Sequence, residues 1–213
     1  MTIPVFDYRT DIANVVVHPE IRARFMRMEP APAAPMHSHD LGGEIFLVLE
    51  GQCEFIVEDE PITCGPGQLI YIEPRVKHTL HAVGDGPCVV YLSVTPHVEP
   101  THTRYGDDGE PLIPRYAGWR GKGFHDVNAD RSLADLAQSY ARSVRDLAAR
   151  AQVNADAIDR HLNTLEDDAA ASPDAVKPTI DALWLGVRDA LQAASELERT
   201  WNELAPRGML VDS

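Results

Sequence analysis

The sequence predicts a mainly β fold, a small antiparallel barrel or sandwich extended on its C-terminal side by helices. Three observations predict it. From residue 15 to about residue 96, short β-branched and apolar runs (NVVVH, RARFMRM, EIFLVL, CEFIV, QLIYI, TLHAV, CVVYLSVT) are separated at close intervals by Pro, Gly and Asp, as short strands joined by turns require. From about residue 131 the apolar period changes to alternating steps of four and three, the spacing of one helix face. Between these two regions, residues 97–130 hold prolines, aromatic residues and histidines without a sustained period of either kind. The expected organisation is a barrel over residues 1–98, a loop, lid or linker over 99–130, and a helical region over 131–213.

In chain order, Arg22 and Arg24 share one face of an early strand. They are candidates to anchor an anionic substrate, although solvated surface is the favoured role for such a pair. In MHSHDLGGEIFLVLEG, residues 36–51, His37 and His39 stand two apart, so in an extended strand both point to one side, and Glu44 opens the next apolar run. His78 closes GPGQLIYIEPRVKH, residues 65–78, where a Gly-Pro-Gly turn launches a β-rich run and a proline corner leads into TLHAV. Imidazoles and a carboxylate on adjacent strands can converge on one metal ion. Burying three histidines and a carboxylate in a barrel with no ion or water to satisfy them is costly, which places metal binding ahead of a purely structural role.

This arrangement resembles the cupin superfamily. The first cupin motif runs G, five residues, H-x-H, three or four residues, E, six residues, G; here His37, His39, four residues, Glu44, six residues and Gly51 follow it, with Ala31 at the first glycine. The second motif, G, five residues, P-x-G, two residues, H, three residues, N, is matched at Gly67 and His78, with Glu73 and Arg75 at the P and G positions, Pro74 between them and Ala82 at the N. The resemblance covers about residues 15–98. It implies a single double-stranded β-helix (jelly-roll) barrel and one divalent transition metal per chain on His37, His39, Glu44 and His78.

Three neutral imidazoles and one carboxylate leave a divalent site with a charge of about +1 and two open octahedral positions. Phe46, Val48 and Leu80 are in phase with the ligands, so the expected interior is apolar around a polar centre. Such a cage suits a dioxygenase that binds a chelating small molecule on Fe(II), the favoured metal, with Mn, Ni, Zn or Cu as alternatives. The superfamily also contains isomerases, lyases and binding or regulatory modules without turnover, and fold does not select among them. A general acid or base would come from Tyr71, Glu73, His97 or His102. Tyr71 is in a strand of undetermined phase, Glu73 is expected to face solvent at a turn, and the two histidines suit the barrel rim equally well. His81, out of phase with His78, is expected to point outward.

A formal net charge of -14 disfavours nucleic acid and anionic membranes as partners. The start, MTIPVFDYRTDI, has neither a basic nor an apolar targeting segment, and no run is long enough to span a membrane, so a cytoplasmic location is expected. Cys53, Cys64 and Cys88 show no C-x-x-C pairing and read as reduced core residues, with Cys53 and Cys64 placed to face each other across a hairpin.

Three helices are expected. Ser132 and Asp135 form a capping-box-like start ahead of Leu133, Ala137, Tyr140, Val144, Leu147 and Ala151. A shorter helix after Asn154 carries Ile158, Leu162 and Leu165, and EDDAAASPDA is an exposed turn. Ser172-Pro173 then starts a long helix with the line Leu183, Val187, Ala190, Ala194, Leu197, Trp201 and Leu204, widened by Ile180, Trp184 and Leu191. This is more apolar surface than the helices bury alone, and a homodimer is expected.

Overall fold

The computed structural model describes residues 3–116, 130–171 and 173–212. These fall into two compact units, a β unit with the C-terminal turn Ala205–Asp212 and a helical unit. The β unit is made of two five-stranded sheets. The first runs β1 (Asn14–Val17), β2 (Arg22–Met28), β9 (Cys88–Thr95), β4 (Gly43–Glu50) and β7 (Leu69–Ile72); the second runs β10 (Thr103–Arg104), β3 (His37–Ser38), β8 (His78–Val83), β5 (Gln52–Val57) and β6 (Glu60–Cys64). All strand pairs are antiparallel. The expected jelly-roll barrel is what the chain forms.

Alternation along each strand decides what lies between the sheets. Phe46 and Val48 from β4, Val90 and Leu92 from β9, Ile72 from β7, Cys53 and Phe55 from β5 and Ala82 from β8 form the core, with Met26, Met28 and Leu80 packed against it. Phe46 and Phe55 meet across the barrel with ring centroids 5.2 Å apart. Cys53 and Cys64 are register partners, and all three cysteines are free and buried. The single-residue connection from β4 to β5 is Gly51, at φ 73°, where an added Cβ would collide with the Pro87 carbonyl oxygen. That close approach explains the glycine closing the first motif.

Part of the segment expected as loop, lid or linker is built into the barrel. β10 pairs with β3 in the register Thr103↔Ser38 and Arg104↔His37. Beyond it, the Tyr105 hydroxyl lies 2.7 Å from Ser38 Oγ, and the Lys77 ammonium sits 4.1 Å from the Tyr105 ring centroid. Two paired residues are too short a strand to register as a period-2 pattern. Of the aromatic residues and histidines that mark this segment in the sequence, Trp119 and His125 lie outside the described residues.

The helical unit contains two long helices, α1 (Leu133–Ala171) and α2 (Pro173–Leu204), rather than the three expected. The start is as the sequence predicts: the Asp135 amide donates to Ser132 Oγ at 3.1 Å and the Ser132 amide to Asp135 Oδ2 at 3.3 Å. Asn154 is not a cap. An added Cβ on Gly186 of α2 would meet Asn154 Oδ1 at 2.6 Å, so Asn154 marks a close approach between the helices and α1 continues through it, the stretch read as an exposed turn included up to Ala171. Ser172, the expected cap of α2, lies outside the described residues. The buried line of α1 is also shifted from the expected one. Leu136 is wholly buried while Leu133 is 61% exposed, and Ser143 occupies an inward position by bonding Thr200 Oγ1 at 2.7 Å. Tyr140 packs on Trp201 at 5.4 Å between ring centroids. No helix among the described residues is long and apolar enough to cross a membrane.

Candidate metal centre

The two sheets each deliver part of the candidate ligand set. In the first, Glu44 pairs with Ile72 and Val94, and Val94 pairs with Arg22, so these four residues form one row across β7, β4, β9 and β2. In the second, His37 pairs with His78. His39 follows β3, its carbonyl accepting the amide of Arg75 at 2.8 Å. Arg75 stands where the second motif has glycine, and it adopts that residue's left-handed conformation at φ 70°. The turn before His78 is kept despite the departure from the motif.

The ligand atoms of His37, His39, Glu44 and His78 lie within 4.8 Å of one another. His39, Glu44 and His78 are buried, and His37 is partly exposed. The tautomers are fixed by backbone carbonyls. His39 Nδ1 is held by the Thr101 carbonyl and His78 Nδ1 by the Val76 carbonyl at 3.0 Å; a carbonyl only accepts, so both Nδ1 atoms carry the proton. In a neutral ring each Nε2 then presents a lone pair, and both face one carboxylate oxygen: Glu44 Oε2 is 2.8 Å from His39 Nε2 and 3.1 Å from His78 Nε2. With both rings neutral, three acceptors are aimed at one point, an arrangement that a bound cation satisfies and the way metal-ligating imidazoles are oriented by their second nitrogen. The residues present fit a divalent transition metal, three nitrogens and one oxygen with the rest of its shell open.

The electrostatics describe the same cluster without its cation. In the metal-free cluster the two Nε2 positions serve Glu44 as donors: burial pushes its carboxyl up, but the hydrogen bonds and charge of His39 and His78 outweigh that and hold it below the ordinary carboxylate range, ionised. Burial, reinforced by His78, lowers His37 to about 3, so it is a neutral ligand near pH 7.

Of the four acid or base candidates, the fold brings two near this cluster. The His102 ring centroid is 4.9 Å from that of His37 and 4.8 Å from that of His39, and burial lowers its pKa to about 2. His97 is buried beyond the end of β9, with Thr101 Oγ1 3.4 Å from its Nδ1; burial, then Arg22 and His39, lower it to about 3. Tyr71 and Glu73 are not brought to the cluster. Tyr71 pairs with Ile45, out of phase with Glu44, and is 55% exposed, while Glu73 is exposed at the turn after β7. His81 lies 3.5 Å from Glu54 on the other face of β8 from His78.

The expected solvated pair, Arg22 and Arg24, requires correction. Arg22 is 2% exposed and Arg24 is half-buried, because the row register places both on the ligand face of β2. Strand alternation signals a shared face but not which side is inside. Glu99 and Thr101 carry no motif or period in the sequence; both are buried and, with His39, line a pocket of ≈ 240 Å³.

Residues 24–95 match the family model for the cupin domain. Among solved structures, the chain is similar to a conserved protein with a double-stranded β-helix domain from Klebsiella pneumoniae, at 16% identity and a TM-score of 0.41 over 43% of this chain and 84% of that one. It is also similar to a cupin 2 domain-containing protein from Halorhodospira halophila, at 22% identity and a TM-score of 0.38 over 43% of this chain and 62% of that one. A third is KdgF from a Halomonas species, at 22% identity and a TM-score of 0.35 over 39% and 76%. The comparison with curated proteins gave no match. The two-sheeted barrel that carries His37, His39, Glu44 and His78 is a cupin domain.

Proposed function

We propose that this barrel is a metal-dependent small-molecule enzyme, a dioxygenase that takes a chelating organic substrate at a centre of three histidines and one glutamate. The observation that carries the reading is the pair of oriented imidazoles, His39 and His78, whose lone pairs meet on Glu44 Oε2. His37 completes the set. Fe(II), when bound there, would supply the electrons for O2 chemistry and two open positions for a chelating substrate and the gas. Phe46, Val48 and Leu80 give the interior an apolar lining that keeps bulk water from the reacting atoms. His102, beside His37 and His39, supplies a neutral imidazole to hydrogen-bond a substrate. The chain is further proposed to work as a homodimer, since Ile180, Trp184 and Leu191 leave an apolar line of α2 exposed.

Oxygen uptake by Fe(II)-loaded protein, measured with a panel of diketones, catechols and thiols, tests the reaction class. Consumption of O2 dependent on one substrate class is expected. Stoichiometric iron with no uptake on any of them would replace the dioxygenase with a non-redox enzyme or a binding module.

A further inference from the structure

Arg22 is a charged side chain sealed into the metal end of the barrel without a hydrogen bond to its Nε among the described residues. The Nε of Arg24, two residues on, is buried and unbonded in the same sense. Both side chains project from the face of β2 that belongs to the ligand row: Arg22 shares a row with Val94 and Glu44, and Arg24 shares the next with Leu92 and Phe46. Two strand spacings, about 10 Å, separate the Arg22 and Glu44 backbones, a gap that an arginine side chain largely spans. A guanidinium costs too much to bury unless something accepts from it, and structural stability alone favours an apolar residue at such a position.

The charges say what is missing. Burial lowers the Arg22 guanidinium from its ordinary value, with Glu44 opposing and Arg24 adding to the effect, and an arginine remains cationic in a protein. Glu44 acts on both arginines and Glu99 acts on Arg22, while Arg104, the register partner of His37, adds a further positive charge at the cluster. A divalent ion on Glu44 would then leave this end of the barrel with an excess of positive charge.

We infer that the substrate of this centre is a dianion, carrying a chelating oxygen group for the metal and, at its other end, a carboxylate that Arg22 and Arg24 bind. Arginine suits that role because its planar fork meets a carboxylate through two parallel hydrogen bonds. The inference rests on the proposed metal centre and adds the substrate's second anchor.

The test uses Zn(II)-loaded full-length protein and two hydroxamates, with binding followed by calorimetry. Succinohydroxamic acid has a metal-chelating end and a free carboxylate; butanohydroxamic acid has the same chelating end and a methyl group in place of the carboxylate. The wild-type protein is expected to bind the carboxylate-bearing probe about tenfold more tightly, as one charge-assisted pair provides. Arg22→Gln is expected to erase that preference while keeping its zinc and its affinity for butanohydroxamic acid, which also reports that the variant is folded. Arg24→Gln, at the less buried position, is expected to reduce the preference about threefold. Equal binding of the two probes by wild type, no binding of either to a zinc-loaded chain, or a preference untouched in both variants would overturn the substrate assignment and leave the metal centre standing. If the wild-type chain retains no zinc, the metal centre itself falls and the inference with it.

Discussion

The amide of Arg75 donates to the carbonyl of His39 at 2.8 Å, tying the turn ahead of β8 to a candidate metal ligand. Arg75 does this at φ 70°, where a side chain costs about 1 kcal/mol or more and glycine costs little. Arg75→Gly is expected to leave metal content unchanged and to stabilise the protein by up to about 1 kcal/mol, the relief of strain being partly offset by the freedom glycine adds to the unfolded chain. Urea unfolding measures it. A loss of stability beyond about 1 kcal/mol would mean that the Arg75 side chain, not its backbone conformation, supports the turn.

Acidification should destabilise the metal-free protein well above the range in which ordinary carboxylates titrate. His37, His97 and His102 fall to about 3, 3 and 2 in the fold, against an ordinary value of 6.5. Between about pH 3 and 6.5 the unfolded chain therefore binds more protons than the native one, so their contribution is complete above about 6.5 and is lost as pH falls. Each histidine contributes up to about 1.4 kcal/mol per pH unit inside that window. Glu44, held below the carboxylate range, adds to the loss at still lower pH. Urea midpoints of chelator-treated protein should fall from pH 8 to pH 5; an unchanged or rising midpoint would show that these histidines are not buried neutral in the native state.

The candidate metal ligands were legible because strand alternation put His37 and His39 on one side, the motif spacing placed Glu44 at the start of the next strand, and a proline corner marked His78. Arg22 was not legible. Its phase was visible in the sequence, but composition assigns an arginine to solvent, and only pairing β2 with β9 shows that its face is the inner one. His102 was named by residue type but placed only by β10, which is too short to show a period. Asn154 imitates a helix start in sequence, and its packing against Gly186 on the neighbouring helix decides otherwise. Ser143 and Thr200 satisfy each other's hydroxyls at an inward position that periodicity reserves for apolar residues.

On α2, Ile180, Trp184 and Leu191 remain more than half exposed, with Trp184 at 54%. If a second copy covers that line, light scattering at micromolar concentration should return twice the 23.5 kDa chain mass, and Trp184→Glu should shift the equilibrium to monomer without changing metal content. A wild-type monomer would contradict the dimer.

Replacing Glu44 with Gln removes the one anionic ligand and keeps its shape. Metal affinity should fall at least about tenfold, because a neutral carbonyl replaces the charge that offsets the divalent ion. A competition titration against a chromophoric chelator reads this directly, and an unchanged affinity would place Glu44 outside the coordination shell.

The most direct measurement is elemental analysis of protein purified without added metal, wild type beside the His37→Ala/His39→Ala double variant. One equivalent of a divalent transition metal per wild-type chain is expected, with near-complete loss and a lower unfolding temperature in the variant, since ligands lost from a site linked to folding reduce both. Stoichiometric metal retained by the folded double variant would contradict the assignment of His37, His39, Glu44 and His78 as its ligands.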